Sequence, residues 1–391
     1  MAEPATIGDA GRLRWDRVFC VVAVVAAVGS LGQILVVEAP LGITGRRPHD
    51  FAHYYVAGER VTAGANPYLP VTERVKELLA YEGYDAPVAD APLAVVLFAG
   101  LTALPYRAAW IVFAALSTLA CAVSAAWVCR TLRLSGWITC GVVAAVLASR
   151  PFRQLMIYNH MEWLVLATML TGWIVARRGN AWGGAFWGAA AALKLFPATL
   201  LLSSLAGKHY RLAAWIVASG IGLALLGAWL VGWQHAWEYA RVVVPAARRY
   251  YTWSGNSSLM AIGTVLVGGP IGGYALTAAG FVGLAIVLLR RRRSIDPAFA
   301  TGSVAGLILS PLSWIYYGIL AFPALILLGS RCNWTDWRER AGFITLAAIL
   351  LFWPLGFVEN LPLTTTTFLL LVVPRTLAYV ALFVWSATKL E

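Results

Sequence analysis

The segment Arg46–Pro70 has the sequence RRPHDFAHYYVAGERVTAGANPYLP and is polar and aromatic in a chain that is otherwise mostly apolar. Within it, apolar side chains recur at the spacing of one helical face, namely Phe51, Tyr54, Tyr55, Ala57 and Val61. Asp50 precedes them and is a residue type that caps helix N-termini. Gly64 followed by Pro67 is typical of a helix end. The pattern predicts a short amphipathic helix that lies at the membrane surface with Asp50 at its N-cap.

The composition is that of a membrane protein with many spans. Of 391 residues, 60% are hydrophobic and 12% are charged, and the mean hydropathy is +0.73, whereas soluble domains carry about 25% charged residues. The net charge of +12 would suit nucleic acid in a soluble protein, but most arginines lie in short links between apolar runs, as the positive-inside rule predicts. We therefore expect a lipid bilayer and no nucleic acid as partner. The five cysteines include no C-x-x-C pair, which argues against a metal site or a disulfide framework.

The first apolar run, Val18–Val37, is long enough to cross the roughly 30 Å hydrocarbon core of a bilayer. Three arginines precede it and no small-residue cleavage site follows it, so we expect an uncleaved span that starts in the cytoplasm. Residues 39–90 then form the longest polar segment, which that orientation places outside as the catalytic segment. The apolar run 91–104 is too short to cross and predicts a re-entrant helix.

The rest of the chain predicts one all-α integral membrane domain over residues 1–391, with about 10–12 transmembrane helices and short external amphipathic helices. A second surface helix is predicted within residues 71–84. Residues 182–206 begin and end at basic links, which predicts a hairpin bent near Pro197. The basic links should be cytoplasmic, Arg290–Arg293 among them, which leaves 233–256 and 359–367 outside. Further spans are predicted at 106–128, 135–149, 156–176, 212–232, 271–290, 298–313, 314–330, 341–358 and 368–388.

Acidic residues are scarce in the middle of the chain. Between Asp90 and Asp296 the only ones are Glu162 and Glu238. Cations that fall near predicted external ends of spans in this region are Arg150, Arg153, Lys194, Arg248 and Arg249. Cations in a bilayer are costly unless they meet an anion, so we interpret them as ligands for a donor phosphate. The alternative is that they extend to lipid headgroups.

Several short motifs occur in an order that resembles glycosyltransferase family 87. They are an aspartate soon after the first span, GANPYLP at 64–70, a short helix opened by Pro92, ALKLFP at 192–197, WSGNSS at 253–258 and SPLSW at 310–314. The resemblance covers roughly residues 17–330 and implies the GT-C fold of membrane enzymes that use polyprenyl-phosphate sugars. Two departures concern the sugar and the acceptor. Many members have Gly-Gln-x-Asn where this chain has YNHME at 158–162, and His-His where it has Tyr316 and Tyr317.

The resemblance implies that the sugar is inverted in one displacement, with one carboxylate as base and with no metal or cofactor. Asp50 is our candidate base, and its alternative role is that of a helix cap. Glu162 with His160 is either a second polar cluster at the cavity or a buried hydrogen-bonded pair. The residues predicted to bind the sugar or the acceptor are His53, Tyr54, Asn159, His160, Glu162, Trp253, Asn256, Ser313 and Trp314.

Together these features predict a multi-pass plasma-membrane glycosyltransferase with an external or periplasmic active site. It would transfer a sugar from a polyprenyl phosphate to a hydroxyl of a lipid-linked or cell-envelope glycan. Mannose is the sugar that we expect. Arabinofuranosyl transfer by the same mechanism is the first alternative. A lipid or sugar transporter or flippase is the second, because broken helices around a buried cation also describe carriers.

Overall fold

The computed structural model describes residues 7–43, 50–70, 72–78, 88–289, 294–354 and 364–390, which form helices and loops and, within those ranges, no strand. This confirms an all-α fold. In chain order the helices are α1 (Ile7–Gln33), α2 (Asp50–Thr62), α3 (Thr72–Leu78), α4 (Pro92–Ala99), α5 (Tyr106–Thr131), α6 (Gly136–Ala148), α7 (Arg150–Tyr158), α8 (Glu162–Arg177), α9 (Gly183–Leu193), α10 (Thr199–Ala206), α11 (Tyr210–Val231), α12 (Leu259–Val267), α13 (Pro270–Leu289), α14 (Ile295–Leu309), α15 (Phe322–Arg331), α16 (Trp337–Phe352) and α17 (Thr365–Lys389).

Shorter helical pieces connect these helices. A π-helical turn, Ile34–Glu38, and a last turn, Ala39–Ile43, extend α1. The link from α11 to α12 contains the short helices Trp233–Glu238 and Val244–Ala246, with the π-helical turn Tyr239–Val243 between them. The 3₁₀ segments are Gly100–Ala103, Phe196–Ala198, Ala247–Tyr250 and Ile315–Ala321.

Several helices are long and apolar enough to cross a bilayer, which confirms a polytopic membrane protein. Among the described residues there are 5 of them, or up to 6 if α6 and α7, which meet at 50°, count as one span. The spans are Asp16–Leu41, Tyr106–Thr131, Tyr210–Val231, Pro270–Leu289 and Thr365–Lys389. Further crossings would have to be made by shorter helices, so the count of about 10–12 stays a prediction. The sidedness of the loops also stays a prediction; Arg290–Arg293 and most of 359–367 lie outside the described residues.

A turn interrupts the run predicted to cross at 156–176. Helix α7 ends at Tyr158, Asn159 adopts the left-handed conformation with φ 49°, and α8 begins only at Glu162. Asparagine is one of the few residues that tolerate this conformation at a helix end. The turn carries His160 and Glu162 into the interior, where both are buried.

The predicted bend in residues 182–206 is a break centred on Lys194. Helix α9 ends at Leu193, and Lys194 is extended with φ −144° and ψ 133°. Pro197 explains the end, because its ring would clash with the carbonyl of Leu193, four residues earlier, if the helix continued. Lys194 therefore lies in a non-helical break between two helices and not on a helix face.

Helix α2 differs from the prediction in its surroundings. It ends at Thr62 and is followed by Gly64 at φ +66°, as predicted, but Asp50 is its first helical residue and not its N-cap. It is not a surface helix, because its residues from Phe51 to Gly58 are buried except His53. The aromatic face predicted for lipid contacts other aromatic rings instead: Phe51 meets Phe98, Tyr106 and Phe113, and Tyr54 stacks on Phe98 at 4.4 Å.

Close helix packing brings the polar segments to one end of the bundle. Helix α4 packs against α2 and α11, and α9 packs between α8 and α11. The α9–α11 contact is tight, because a methyl group added at Gly188 would overlap the Ile216 backbone oxygen and would lie 2.7 Å from the Gly220 nitrogen. Helix α7 packs against the 3₁₀ segment Ile315–Ala321. The start of α2, the turn after α7 and the break after α9 thus face a common space.

Candidate active site

A cavity of about 1540 Å³ lies where these segments meet. One part of its wall is polar, and its charged and amide side chains include Asp50, Asp90, Arg150, Gln154, His160 and Lys194. Another part is apolar and comes largely from α11 and the residues around the break after α9. The cavity therefore has a charged region and an apolar region. A site that binds a lipid with a polar head requires both.

Lys194 is buried at the centre of the polar wall. Its ammonium donates to a Glu162 oxygen at 2.6 Å and to the Tyr317 hydroxyl at 3.0 Å, and it lies 3.4 Å from Asp90. It also lies 4.7 Å from the centre of the Tyr317 ring. The interpretation of Lys194 as a cation without acidic neighbours is therefore wrong: residues distant in sequence supply two carboxylates. To bind a phosphate as well, Lys194 would have to interact with the phosphate while it still compensates these two carboxylates.

His160 lies between two carboxylates. Its Nδ1 contacts a Glu162 oxygen, and its Nε2 is 3.7 Å from an Asp50 oxygen and contacts the Tyr54 hydroxyl. Its ring stacks on Tyr316 with centroids 4.5 Å apart. His160 and Tyr54 line the cavity, whereas Glu162 is fully buried behind them. Both readings of the His160–Glu162 motif apply, because it is a buried pair and it also forms part of the cavity wall.

Asp50 is the first residue of α2 and lines the cavity with 22% of its side chain exposed. His53, three residues later, lines the cavity as well. Burial lowers the pKa of His53, and the nearby Asp50 carboxylate partly opposes this shift. A lowered pKa keeps the imidazole neutral at neutral pH, so His53 can exchange hydrogen bonds with a ligand without adding charge beside Asp50.

The predicted phosphate ligands separate into two groups. Arg150 lines the cavity together with Lys194. Arg153 instead forms a 3.1 Å ion pair with the buried Glu38 at the end of the first span, so it too has an acidic partner. Arg248 and Arg249 are exposed and lie outside the cavity wall, although their neighbour Tyr250 is part of it.

Aromatic rings form one corner of the cavity. Trp253 meets Tyr250 edge-on at 4.8 Å and Trp314 at 5.9 Å, and all three line the cavity. Trp253 is 45% exposed where it lines the cavity. Flat rings beside a carboxylate are suitable for stacking on a sugar.

Besides Glu162, three residues predicted to touch the sugar, Asn159, Asn256 and Ser313, are buried and do not line the cavity. The Asn256 amide donates to the Pro311 carbonyl at 3.0 Å and accepts from the Ser313 backbone at 2.8 Å, and so joins the WSGNSS and SPLSW loops. Ser313 is fully buried in that joint. Asn159 donates to the Trp110 carbonyl at 3.1 Å and serves the turn after α7. Their observed contacts therefore hold the loops that carry the cavity residues.

Some residues of the cavity wall were missed by the sequence interpretation. They include Asp90, Gln154, Tyr158, Tyr239, Tyr316 and Tyr317. Asp90 had a usable signal, since it is an acid two residues ahead of the short helix that begins at Pro92. Tyr316 and Tyr317 were noted only as departures from the family pattern. Gln154 and Tyr239 had no signal, because nothing local distinguishes them from other polar residues near span ends.

Replacing Lys194 by methionine should destabilise the protein. Without the lysine, the buried carboxylates of Glu162 and Asp90 would lose the charge that compensates them. Removing one partner of a buried ion pair typically lowers the free energy of unfolding by about 3–5 kcal/mol. Lys194→Met should therefore lower the thermal unfolding midpoint in detergent, and the double variant Lys194→Met/Glu162→Gln should recover part of the loss. Lys208→Met removes an exposed lysine and is the control. Equal midpoints for the two single variants would contradict the assignment of Lys194 to a buried network.

Comparison with known proteins identifies the family. The model of glycosyltransferase family 87 matches residues 91–323, more than half of the chain. A polyprenol-phosphate-mannose-dependent alpha-(1-2)-phosphatidylinositol mannoside mannosyltransferase of Mycobacterium tuberculosis is 28% identical over 297 residues, which cover 69% of this chain and 68% of that protein. An alpha-(1->3)-arabinofuranosyltransferase of Corynebacterium glutamicum is 27% identical over 356 residues, covering 85% and 80%. No solved structure matches the chain. The chain thus belongs to glycosyltransferase family 87 and is a membrane glycosyltransferase.

Proposed function

We propose that the protein transfers mannose from a polyprenyl-phosphate donor to a hydroxyl of a lipid-linked or cell-envelope glycan. The reaction inverts the sugar, Asp50 is the general base, and the cavity opens on the external face of the plasma membrane. The observation that carries this proposal is the position of Asp50: its carboxylate lines a large cavity that also contains a cation, Arg150, and an aromatic corner.

The apolar wall supports a polyprenyl donor. Val217 and Ile221 lie on α11, a helix long enough to span a bilayer, and they line the cavity with 41% and 57% of their surface exposed. Leu195, beside the break after α9, also lines the cavity and is 82% exposed. An exposed apolar wall of this kind suits an isoprenoid chain whose head reaches the polar wall.

The chemistry requires a base on one side of the sugar and positive charge on the other. The acceptor hydroxyl gives its proton to Asp50 as its oxygen bonds to the anomeric carbon, and the bond from that carbon to the phosphate oxygen breaks. The electron pair of that bond leaves with the polyprenyl phosphate, whose growing charge Arg150 stabilises. Lys194 contributes more weakly, because Glu162 and Asp90 already compensate its charge.

Mannose is the first choice of sugar because one relative is described as polyprenol-phosphate-mannose-dependent. Arabinofuranose is the second because the arabinofuranosyltransferase aligns over a longer part of the chain. In detergent, where transport cannot occur, the purified protein should release polyprenyl phosphate from polyprenyl-phosphate mannose when phosphatidylinositol mannoside is the acceptor. A faster reaction with polyprenyl-phosphate arabinose would select the second sugar. Consumption of neither donor would favour a transporter.

Asp50→Asn should abolish most of the activity without unfolding the protein. Asparagine has the size and shape of aspartate, and losing the charge in the first turn of a helix costs only about 0.3–1 kcal/mol. Asparagine cannot accept the proton, however, and loss of a general base costs about 10²- to 10⁴-fold in rate. The turnover number should fall by that factor while donor binding is nearly unchanged. Asp336→Asn is the control for the same change at a helix N-terminus, because Asp336 lies at the start of α16 and outside the cavity wall. A parent-like rate for Asp50→Asn would leave Asp50 with a structural role only.

Arg150→Gln should weaken donor binding. A charge-assisted hydrogen bond contributes roughly 1.5–3 kcal/mol, so the Michaelis constant for the donor should rise about ten- to hundredfold. Arg249→Gln removes an exposed arginine that packs on the Tyr250 ring, outside the cavity wall, and should change it little. Equal and small effects of the two substitutions on the donor Michaelis constant would indicate that both arginines only contact lipid headgroups.

A further inference from the structure

We infer that His160 is a positioning residue that holds Asp50 in place, and that Glu162 and Lys194 fix His160 from behind. This inference rests on the proposed role of Asp50 as base. It changes the sequence-based expectation that His160 and Glu162 bind the sugar. The groups form one row, Asp50, His160, Glu162, Lys194 and Asp90, in which Glu162 lies behind the cavity wall and the other four line it.

The imidazole is fixed on its faces and edges. Tyr316 stacks on one face at 4.5 Å, and Tyr54 meets the ring edge-on at 5.2 Å. Only 4% of His160 is exposed. A ring packed in this way has little freedom to turn toward a ligand, although one edge borders the cavity. Its geometry suits a fixed support better than an adaptable sugar contact.

Glu162 sets the orientation of the ring. One Glu162 oxygen faces His160 Nδ1, which must carry its proton to donate to a carboxylate, and this leaves Nε2 facing α2. The other oxygen accepts from Lys194 at 2.6 Å. Lys194 is held in turn by Tyr317 and Asp90. Because both Glu162 oxygens are used and the side chain is fully buried, it cannot contact a sugar in this arrangement.

The Nε2 edge contacts the first turn of α2 at two points. The Tyr54 hydroxyl contacts Nε2, and Asp50 lies 3.7 Å from the same nitrogen. Tyr54 and Asp50 are four residues apart and so share one face of the helix. The 3.7 Å separation is longer than a hydrogen bond. An Nε2 without a proton can accept from the Tyr54 hydroxyl but cannot donate to the Asp50 carboxylate, so the contact with Tyr54 is the one that holds α2. His160 therefore anchors the turn that presents the Asp50 carboxylate to the cavity.

Two substitutions of His160 separate positioning from other roles. His160→Asn keeps an amide near Nδ1 for Glu162 and removes the group that faces Asp50, whereas His160→Gln places an amide near Nε2. A misplaced catalytic group typically costs about 10²-fold. We expect His160→Asn to lower the turnover number roughly 10- to 100-fold with the donor Michaelis constant changed less than about twofold. His160→Gln should regain at least part of the rate.

The decisive measurement repeats His160→Asn in the Asp50→Asn background by single-turnover transfer from labelled donor. If His160 acts through Asp50, the second substitution should cause little further loss. The same fold-loss in both backgrounds, or equal losses for the Asn and Gln variants, would overturn the inference and indicate a structural role. A raised acceptor Michaelis constant with an unchanged turnover number would overturn it in favour of sugar binding. A parent-like rate for Asp50→Asn alone would refute the proposed base, and the inference with it, whereas a slow Asp50→Asn with an additive His160 effect would refute the inference alone.

Discussion

The buried ion pair between Lys194 and Glu162 is the contact on which the arrangement of the cavity depends. Each charge would be expensive in the interior of a membrane protein without its partner. The pair joins the break after α9 to the start of α8, and Asp90, Tyr317 and His160 add the segment before α4, the 3₁₀ segment and the turn after α7. Charges that must be compensated therefore specify how four separate parts of the chain meet, since the turn after α7 leads directly into α8.

The segments that meet at this ion pair are also the places where the regular helices are interrupted. Asn159 turns the chain after α7, Pro197 ends the helix before Lys194, and the SPLSW loop separates α14 from the 3₁₀ segment. Irregular backbone in a membrane protein is tolerated where it is buried in protein or lines a cavity. Here it does both, since Asn256 hydrogen-bonds the Pro311 carbonyl of the SPLSW loop and Asn159 ties the turn after α7 to the Trp110 carbonyl of α5, while neighbouring residues face the cavity.

The polar and apolar walls of the cavity differ in how they are built. Its polar wall is held in place by the contacts between the charged groups from Asp50 to Asp90, whereas its apolar wall includes the exposed side chains of Val217 and Ile221 on α11. A rigid polar wall preorganises the reacting groups without reorganisation during the reaction. An open apolar wall lets a long, flexible lipid reach them.

The local pattern of residues was enough to predict the membrane class, the limits of α2, the short helix at Pro92 and a break near Pro197, because hydropathy, capping residues and proline act on neighbours in sequence. The motifs also predicted the family, and Asp50, Arg150, Trp253 and Trp314 do line the cavity. Only the tertiary structure decided which cations are compensated: Lys194 and Arg153 seemed unpaired because Glu162, Asp90 and Glu38 lie far from them in sequence. It also decided that α2 is interior and that Asn256 and Ser313 hold loops together. Burial and ion pairing depend on which distant segments pack together, and no periodicity within one segment encodes that.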